Sequence, residues 1–409
     1  MAREPLIADP PRQGAWAGVP AAVRIGILYL ASRVVTTAFL LLIIAIAEPG
    51  SRLGPGSSLG LLVTRWDAGW YWVVAHEGYP SDLPLTDSGE VDTNAWAFMP
   101  IYAWLARGVG TIVGSWEGGL FLVSFVAGYF ACLVLYRLLR ERQDVSTATW
   151  ATLFFASGPL AALFHVGYAE ALFLVWLFLA LWCVVRRRYW WLYLLIPLMA
   201  YTRPGVLAFA LFLALHGIHR WFTRRREPLR APQIVHIVAL GALAVATGFS
   251  WPLIASAVTG ESGAYLATEL AWRRGFWVDV SGGFVPFDGF VHATAFWFGQ
   301  WGMDAVTGYV ILVAGVIGVA ALLLFEPHVR RLGAEVRLWL AAYLVYLLAV
   351  FFPQSSIFRL LLPLSPAWGA VAMPPSKVWR IGVLVLCLIG QWFWTLNMYG
   401  LAQTYWRIP

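Results

Sequence analysis

The stretch "VRIGILYLASRVVTTAFLLLIIAIA", Val23–Ala47, decides the class of fold. It holds no acid, and its only charged residues, Arg24 and Arg33, lie in its first half. As a helix rising 1.5 Å per residue it reaches about 37 Å, enough to cross a hydrocarbon layer of about 30 Å. The two arginines can snorkel toward the side on which the chain begins. The rest of the sequence repeats this composition. Of 409 residues, 60% are hydrophobic and 12% charged, whereas soluble domains are about 25% charged. So little charge cannot cover a soluble protein of this size. A soluble enzyme, a disordered chain and a disulfide-stapled secreted domain are excluded. The apolar runs are long and continuous rather than alternating, which argues against a membrane β-barrel. The sequence reads as an all-α polytopic membrane protein.

Further apolar runs cover 119–136, 147–165, 168–185, 189–200, 205–218, 234–258, 305–325, 336–352, 357–374 and 380–400. With the first they make about eleven spans, in one transmembrane domain (22–409) behind a polar tail (1–21). The runs 189–200 and 205–218 are too short to cross, and they meet at Thr202-Arg203-Pro204-Gly205. A break of that kind is tolerated where the freed backbone lines a cavity or is buried in protein. The piece 96–113, interrupted by Pro100 and Arg107, is expected to lie on or dip into the membrane.

Charge sorts the sides. Arginines follow every second run: Arg137, Arg140 and Arg142, then Arg186–Arg188, then Arg220, Arg224–Arg226 and Arg230, then Arg330, Arg331 and Arg337, and finally Lys377 with Arg380. With a cytoplasmic N-terminus all of these fall inside, as the positive-inside rule expects. Nineteen of the 28 basic residues are then cytoplasmic, and thirteen of the 21 acids lie in two outer loops, 48–118 and 259–304. The net charge of +7 is thus a topology signal and implies no nucleic-acid partner. Heavy Arg, Ala, Gly and Trp usage suits a GC-rich bacterial genome. Cys132, Cys183 and Cys387 sit inside apolar runs and read as small buried hydrophobes. No phosphate loop, dinucleotide fingerprint or HExxH motif is present. No D-x-D motif lies near Asp67, so no metal or other cofactor is expected.

The densest polar and aromatic cluster is Arg65-Trp66-Asp67-Ala68-Gly69-Trp70-Tyr71-Trp72, followed by His76-Glu77-Gly78-Tyr79-Pro80. In a helix, Trp70 and Tyr71 fall within a turn of Asp67, and Trp66 adjoins it. The result is either an aromatic-walled pocket around one carboxylate or an interfacial belt with Asp67 paired to Arg65. A pocket of that kind suits general-base activation of a hydroxyl, with aromatic rings to support a sugar. Glu170 is the sole acid inside the apolar runs, which is costly unless it is paired or wet. It reads as the polar wall of a cavity, with His165 and Tyr168 nearby, or as the partner of Arg203 or Arg359.

The stretch "RWDAGWYWVVAHEGYP" (65–80) resembles the motif after the first span of PIG-V-type mannosyltransferases, integral-membrane enzymes of the GT-C glycosyltransferase class. Further resemblances follow in family order: "NAWAFMPIYAWLARGVG" (94–110), "ASGPLAALFHVGYAEALFLV" (156–175), "AYTRPG" (200–205), more loosely "FWVDV" to "FVPFDG" (276–289), and "SSIFRLLLPLSP" (355–366). Together they cover most of residues 25–370. Leu360 stands where the family usually has Tyr, and His165-Val166-Gly167 replaces a Ser- and Pro-containing segment. The resemblance implies transfer of mannose from a polyprenyl-phosphate donor to a glycolipid or protein hydroxyl, on the outer face of the plasma membrane. Asp67 would be the base in an inverting reaction. Arg203, Arg359, Arg273 and Arg274 would hold the donor phosphate, since a departing phosphate needs cations that stay charged. Arg65, Trp66, Trp70, Tyr71, His76, His165, Tyr168 and Glu170 would form the pocket. The open alternatives are a flippase or transporter of lipid-linked sugars, an enzyme using another lipid-linked sugar, and a scaffold without chemistry.

Overall fold

The computed structural model describes residues 18–51, 53–274, 283–354 and 356–401. The first half holds α1 (Ala21–Ile46), α2 (Leu59–Val63), α3 (Asp67–His76), α4 (Pro100–Val113), α5 (Trp116–Arg140), α6 (Val145–Ala156), α7 (Glu170–Val185), α8 (Leu192–Ala200) and α9 (Val206–Thr223). The second half holds α10 (Ala231–Thr259), α11 (Ala264–Arg274), α12 (Asp288–Gln300), α13 (Ala305–Phe325), α14 (Pro327–Arg330), α15 (Ala334–Val350), α16 (Ile357–Leu360), α17 (Trp368–Val371) and α18 (Lys377–Thr395). Among the described residues, six helices are long and apolar enough to cross a membrane: α1, α5, α9, α10, α13 and α18 with its continuation to Gly400. The protein is an all-α, multi-pass membrane protein.

Local chemistry sets many of the boundaries. Asp144 caps α6 by accepting from the Thr147 amide (3.0 Å) and hydroxyl (2.6 Å). Ser115, Asp304 and Ser376 cap α5, α13 and α18 in the same way. α5 packs against α1, α4, α6 and α7, while α9 packs against α10 and α15. α13 stands at the edge, with Gly308 its one buried residue.

Three runs differ from the sequence expectation. Residues 147–165 are not one helix. α6 stops at Ala156, because Pro159 can donate no amide hydrogen and disfavours helix just before it. One tight turn, Ala161–Phe164, follows. Arg33 donates to the carbonyls of Ala156 and Ala161, which this break frees. Residues 357–374 likewise form short turns, α16, Leu362–Ala367 and α17, broken by Pro363 and Pro366. The run 205–218 extends instead to Thr223, giving an 18-residue α9 about 27 Å long. The expected break lies between α8 and α9, where Gly205 has φ 137°.

The bundle has two chemically distinct ends. At one, Arg186 pairs with Glu141 at 3.0 Å, Arg142 with Glu335 at 3.7 Å, and Arg220 and Arg187 both meet Glu227. These contacts gather the ends of α5, α7 and α9 with the start of α15. At the other end the segments 48–118 and 259–304 dock on each other. Asn94 donates to Thr268 (2.9 Å), and the indole of Trp251 donates to the Trp96 carbonyl (2.9 Å). Arg274 meets Glu90 at 3.3 Å and the Val91 carbonyl.

Candidate active site

Two helices begin with an acid at this docked end. Asp67 opens α3 and Glu170 opens α7, where the helix dipole favours a carboxylate. Trp66, just before Asp67, has φ 61° and ψ −125°, a strained conformation for a bulky side chain. The two helix starts are pressed together. The Gly167 amide donates to the Val63 carbonyl at 3.0 Å. A Cβ on Gly167 would fall 2.9 Å from that of Ala68 and 2.8 Å from Leu120 Cδ1. Only glycine permits this approach.

Two arginines close on the acids from distant parts of the chain. Arg203, in the break between α8 and α9, pairs with Glu170. Arg359, on α16, pairs with Asp67, lies 3.4 Å from Glu170, and stands over the Tyr168 ring at 5.3 Å. The four charges alternate: Arg203, Glu170, Arg359, Asp67. Their supports are specific. Tyr343 Oη donates to the Leu360 carbonyl (2.8 Å) and so fixes α16. The Ile101 amide donates to the Tyr201 carbonyl (3.0 Å), fastening α4 to the break that carries Arg203. Tyr71 packs edge-on to Tyr102 at 4.8 Å. Burial, then the Glu170 and Asp67 carboxylates, push its hydroxyl well above the usual tyrosine range, against the pull of Arg203 and Arg359. It stays protonated beside both acids.

The remaining candidates are placed as follows. Asp67 meets Arg359, while Arg65 is half-buried with its Nε unpartnered. Trp66 is half-buried beside Asp67. Trp70 stacks on Phe98 at 5.8 Å and meets Trp272 edge-on, so it joins the contact between segments 48–118 and 259–304. His76 is exposed at the far end of α3, stacked on Trp72 and bonded to the Trp72 carbonyl at 3.0 Å. His165 is buried toward α1, with Arg33 and Thr37 each at 3.1 Å, and Tyr168 lies beneath Arg359. Arg273 donates to the Val350 carbonyl (2.8 Å), and Arg274 is held by Glu90 and Val91. Residues 276–282 of the loosely matching stretch lie outside the described residues. Among the described residues no three His, Cys, Asp or Glu side chains group to hold a metal ion.

Three contributors gave little warning in the sequence. Gly167 works through a close approach that only the folded chain reveals. Tyr343 lies in an unremarkable apolar run. Tyr399, at the end of the last helix, comes back within electrostatic reach of Arg359, Asp67 and Glu170.

Residues 92–259 match the family model described as mannosyltransferase (PIG-V). That segment, less than half of the chain, is similar to the family. No curated protein matches the chain. The matched residues run from the start of the α4 region to the end of α10 and include Glu170 and Arg203. Asp67 and Arg359 come from outside that segment and meet it in space. The match likens this segment to mannosyltransferases, and the fold is that of a multi-pass membrane protein.

Proposed function

We propose that this protein transfers mannose from a polyprenyl-phosphate donor to an acceptor hydroxyl with inversion, using Asp67 as general base. The observation that carries the reading is the Arg203–Glu170–Arg359–Asp67 array beside an apolar cavity. That cavity has a volume of about 570 Å³, and its lining includes Phe155, Leu160, Phe358, Leu361 and Trp394. Phe358 and Leu361 flank Arg359 in and just after α16. Cations next to an apolar cleft fit an amphiphile with a phosphate head and an isoprenoid tail.

In the proposed step the acceptor oxygen attacks the anomeric carbon. The bond from that carbon to the phosphate oxygen breaks, and its electron pair leaves on the polyprenyl phosphate. The hydroxyl proton passes to Asp67. Arg359 and Arg203 neutralise the departing charge, the kind of electrostatic contribution that dominates many rates. A phosphate competes with Asp67 for Arg359, so donor binding frees the base as it fills the site. Inversion turns a β-linked donor into an α-linked product.

The test is to reconstitute the purified protein in lipid with labelled polyprenyl-phosphate-mannose and candidate glycolipid and peptide acceptors. An α-mannosylated product supports the reading. Donor hydrolysis without an acceptor product, or a β-linked product, contradicts it.

A further inference from the structure

Tyr399 is buried at a place the reaction described above does not use. α18 ends in a π-helical turn, Leu396–Gly400. Such turns reorient side chains and occur frequently at functional sites. The turn is fixed to the end of α1, where the Glu48 amide donates to the Gly400 carbonyl at 2.8 Å. A Cβ on Gly400 would come within 3.0 Å of Ile43 Cγ2. The chain thus holds Tyr399 in position from both sides.

Its surroundings are of two kinds. On one side is Trp394, which lines the apolar cavity and lies 6.2 Å from the Tyr399 ring, nearly edge-on. On the other is the charged array, with Tyr168 directly under the Arg359 guanidinium. The hydroxyls of Tyr168 and Tyr399 lie near enough to interact. Apart from each other, neither has a hydrogen-bond partner among the described protein groups, although the two residues are 0% and 2% exposed. Buried polar atoms normally find partners, so two such hydroxyls at one spot call for a ligand. Even if one donates to the other, one O–H remains to be used.

We propose that the Tyr399 and Tyr168 hydroxyls form a neutral donor pair for a phosphate monoester or diester oxygen whose apolar chain lies in the Trp394 cavity. This rests on the donor assignment above and sharpens it. The arginines supply charge, and the tyrosines supply direction at the junction between phosphate and isoprenoid. Tyr399 adjoins Trp394 on the tail side and lies within electrostatic reach of Arg359 on the phosphate side.

The experiment measures binding of polyprenyl phosphate and of uncharged polyprenol to the full-length protein in lipid nanodiscs, for wild type, Tyr399→Phe, Tyr168→Phe and the double variant. Each Phe keeps the ring and removes only the hydroxyl. Losing a hydrogen bond to a charged oxygen weakens binding roughly 10-fold or more. The expected result is that loss for polyprenyl phosphate in the single variants, a larger loss in the double variant, and unchanged polyprenol binding. Wild-type affinity for polyprenyl phosphate in the double variant overturns the pair, as does an equal loss for both lipids. Absence of polyprenyl phosphate binding to wild type overturns it too. The parent reading fails separately, when wild type binds the phosphate with the tyrosine dependence described but transfers no sugar.

Discussion

At the basic end of the bundle Arg186 meets Glu141 with 43% and 26% of their side chains exposed. At the opposite end Arg203 meets Glu170 with 15% and 4% exposed, and Arg359 meets Asp67 with 14% and 22%. The residue types are the same and the settings are opposite. An exposed pair is screened by water and contributes about 0–1 kcal/mol. A buried pair has paid a desolvation penalty, so removing one partner strands a charge and costs about 3–5 kcal/mol. Charge at the basic end lies at the exposed surface. Charge at the other end is held under strain, with a left-handed Trp66 and a glycine contact too close for any Cβ. Costs of that sort persist at sites that do chemistry.

Four substitutions test this contrast. Arg359→Ala carries the largest expected effect, because it strands Asp67 and takes from Glu170 one of its two arginines. It should lower unfolding stability by about 3–5 kcal/mol and reduce transfer by on the order of 10²-fold, read by denaturation in detergent and by sugar transfer. Arg359→Lys keeps the charge but loses the planar fork, so transfer should fall while stability largely returns. Gly167→Ala should cost about 1–3 kcal/mol by overpacking and should slow transfer by shifting Asp67 against Glu170, with Tm and rate measured together. Arg186→Ala, at the basic end, should change stability by no more than about 1 kcal/mol and leave the rate unchanged. A large loss there would erase the distinction between the ends.

The smallest effect concerns pH. Burial pushes the Glu269 carboxyl above its ordinary value of 4.5, against a hydrogen bond from Tyr265 and the charge of Arg273. A carboxyl raised on folding favours the protonated form, so its ionisation costs stability as pH rises above 4.5. Glu269→Gln should therefore match wild type below that pH and gain on it above, seen as a Tm difference that grows and then levels off.

Much of the fold was legible because its signals are local. Val23–Ala47 announces a span by length and composition alone, and Pro204-Gly205 announces a break. The stretches 147–165 and 357–374 read as spans because they are apolar, yet Pro159, Pro363 and Pro366 break them into turns. Hydropathy records burial and not helical continuity. At the site, Asp67 stood out among its aromatic neighbours, Glu170 as the acid in an apolar run, and Arg203 at a helix break. Their convergence with Arg359 was not legible, since residues 67, 170, 203 and 359 share no sequence window. Pairing of Glu170 with arginine was one of two open readings, and the fold selects it. His165 looked like part of the same cluster because it lies five residues away. The turn at Ala161–Phe164 instead directs it to Arg33.

The most direct measurement is mannose transfer from labelled polyprenyl-phosphate-mannose by purified Asp67→Asn, compared with wild type at matched folding and insertion. The account predicts loss of transfer by at least about 10³-fold, with the Asn amide still filling the space beside Arg359. Transfer at the wild-type rate would contradict it.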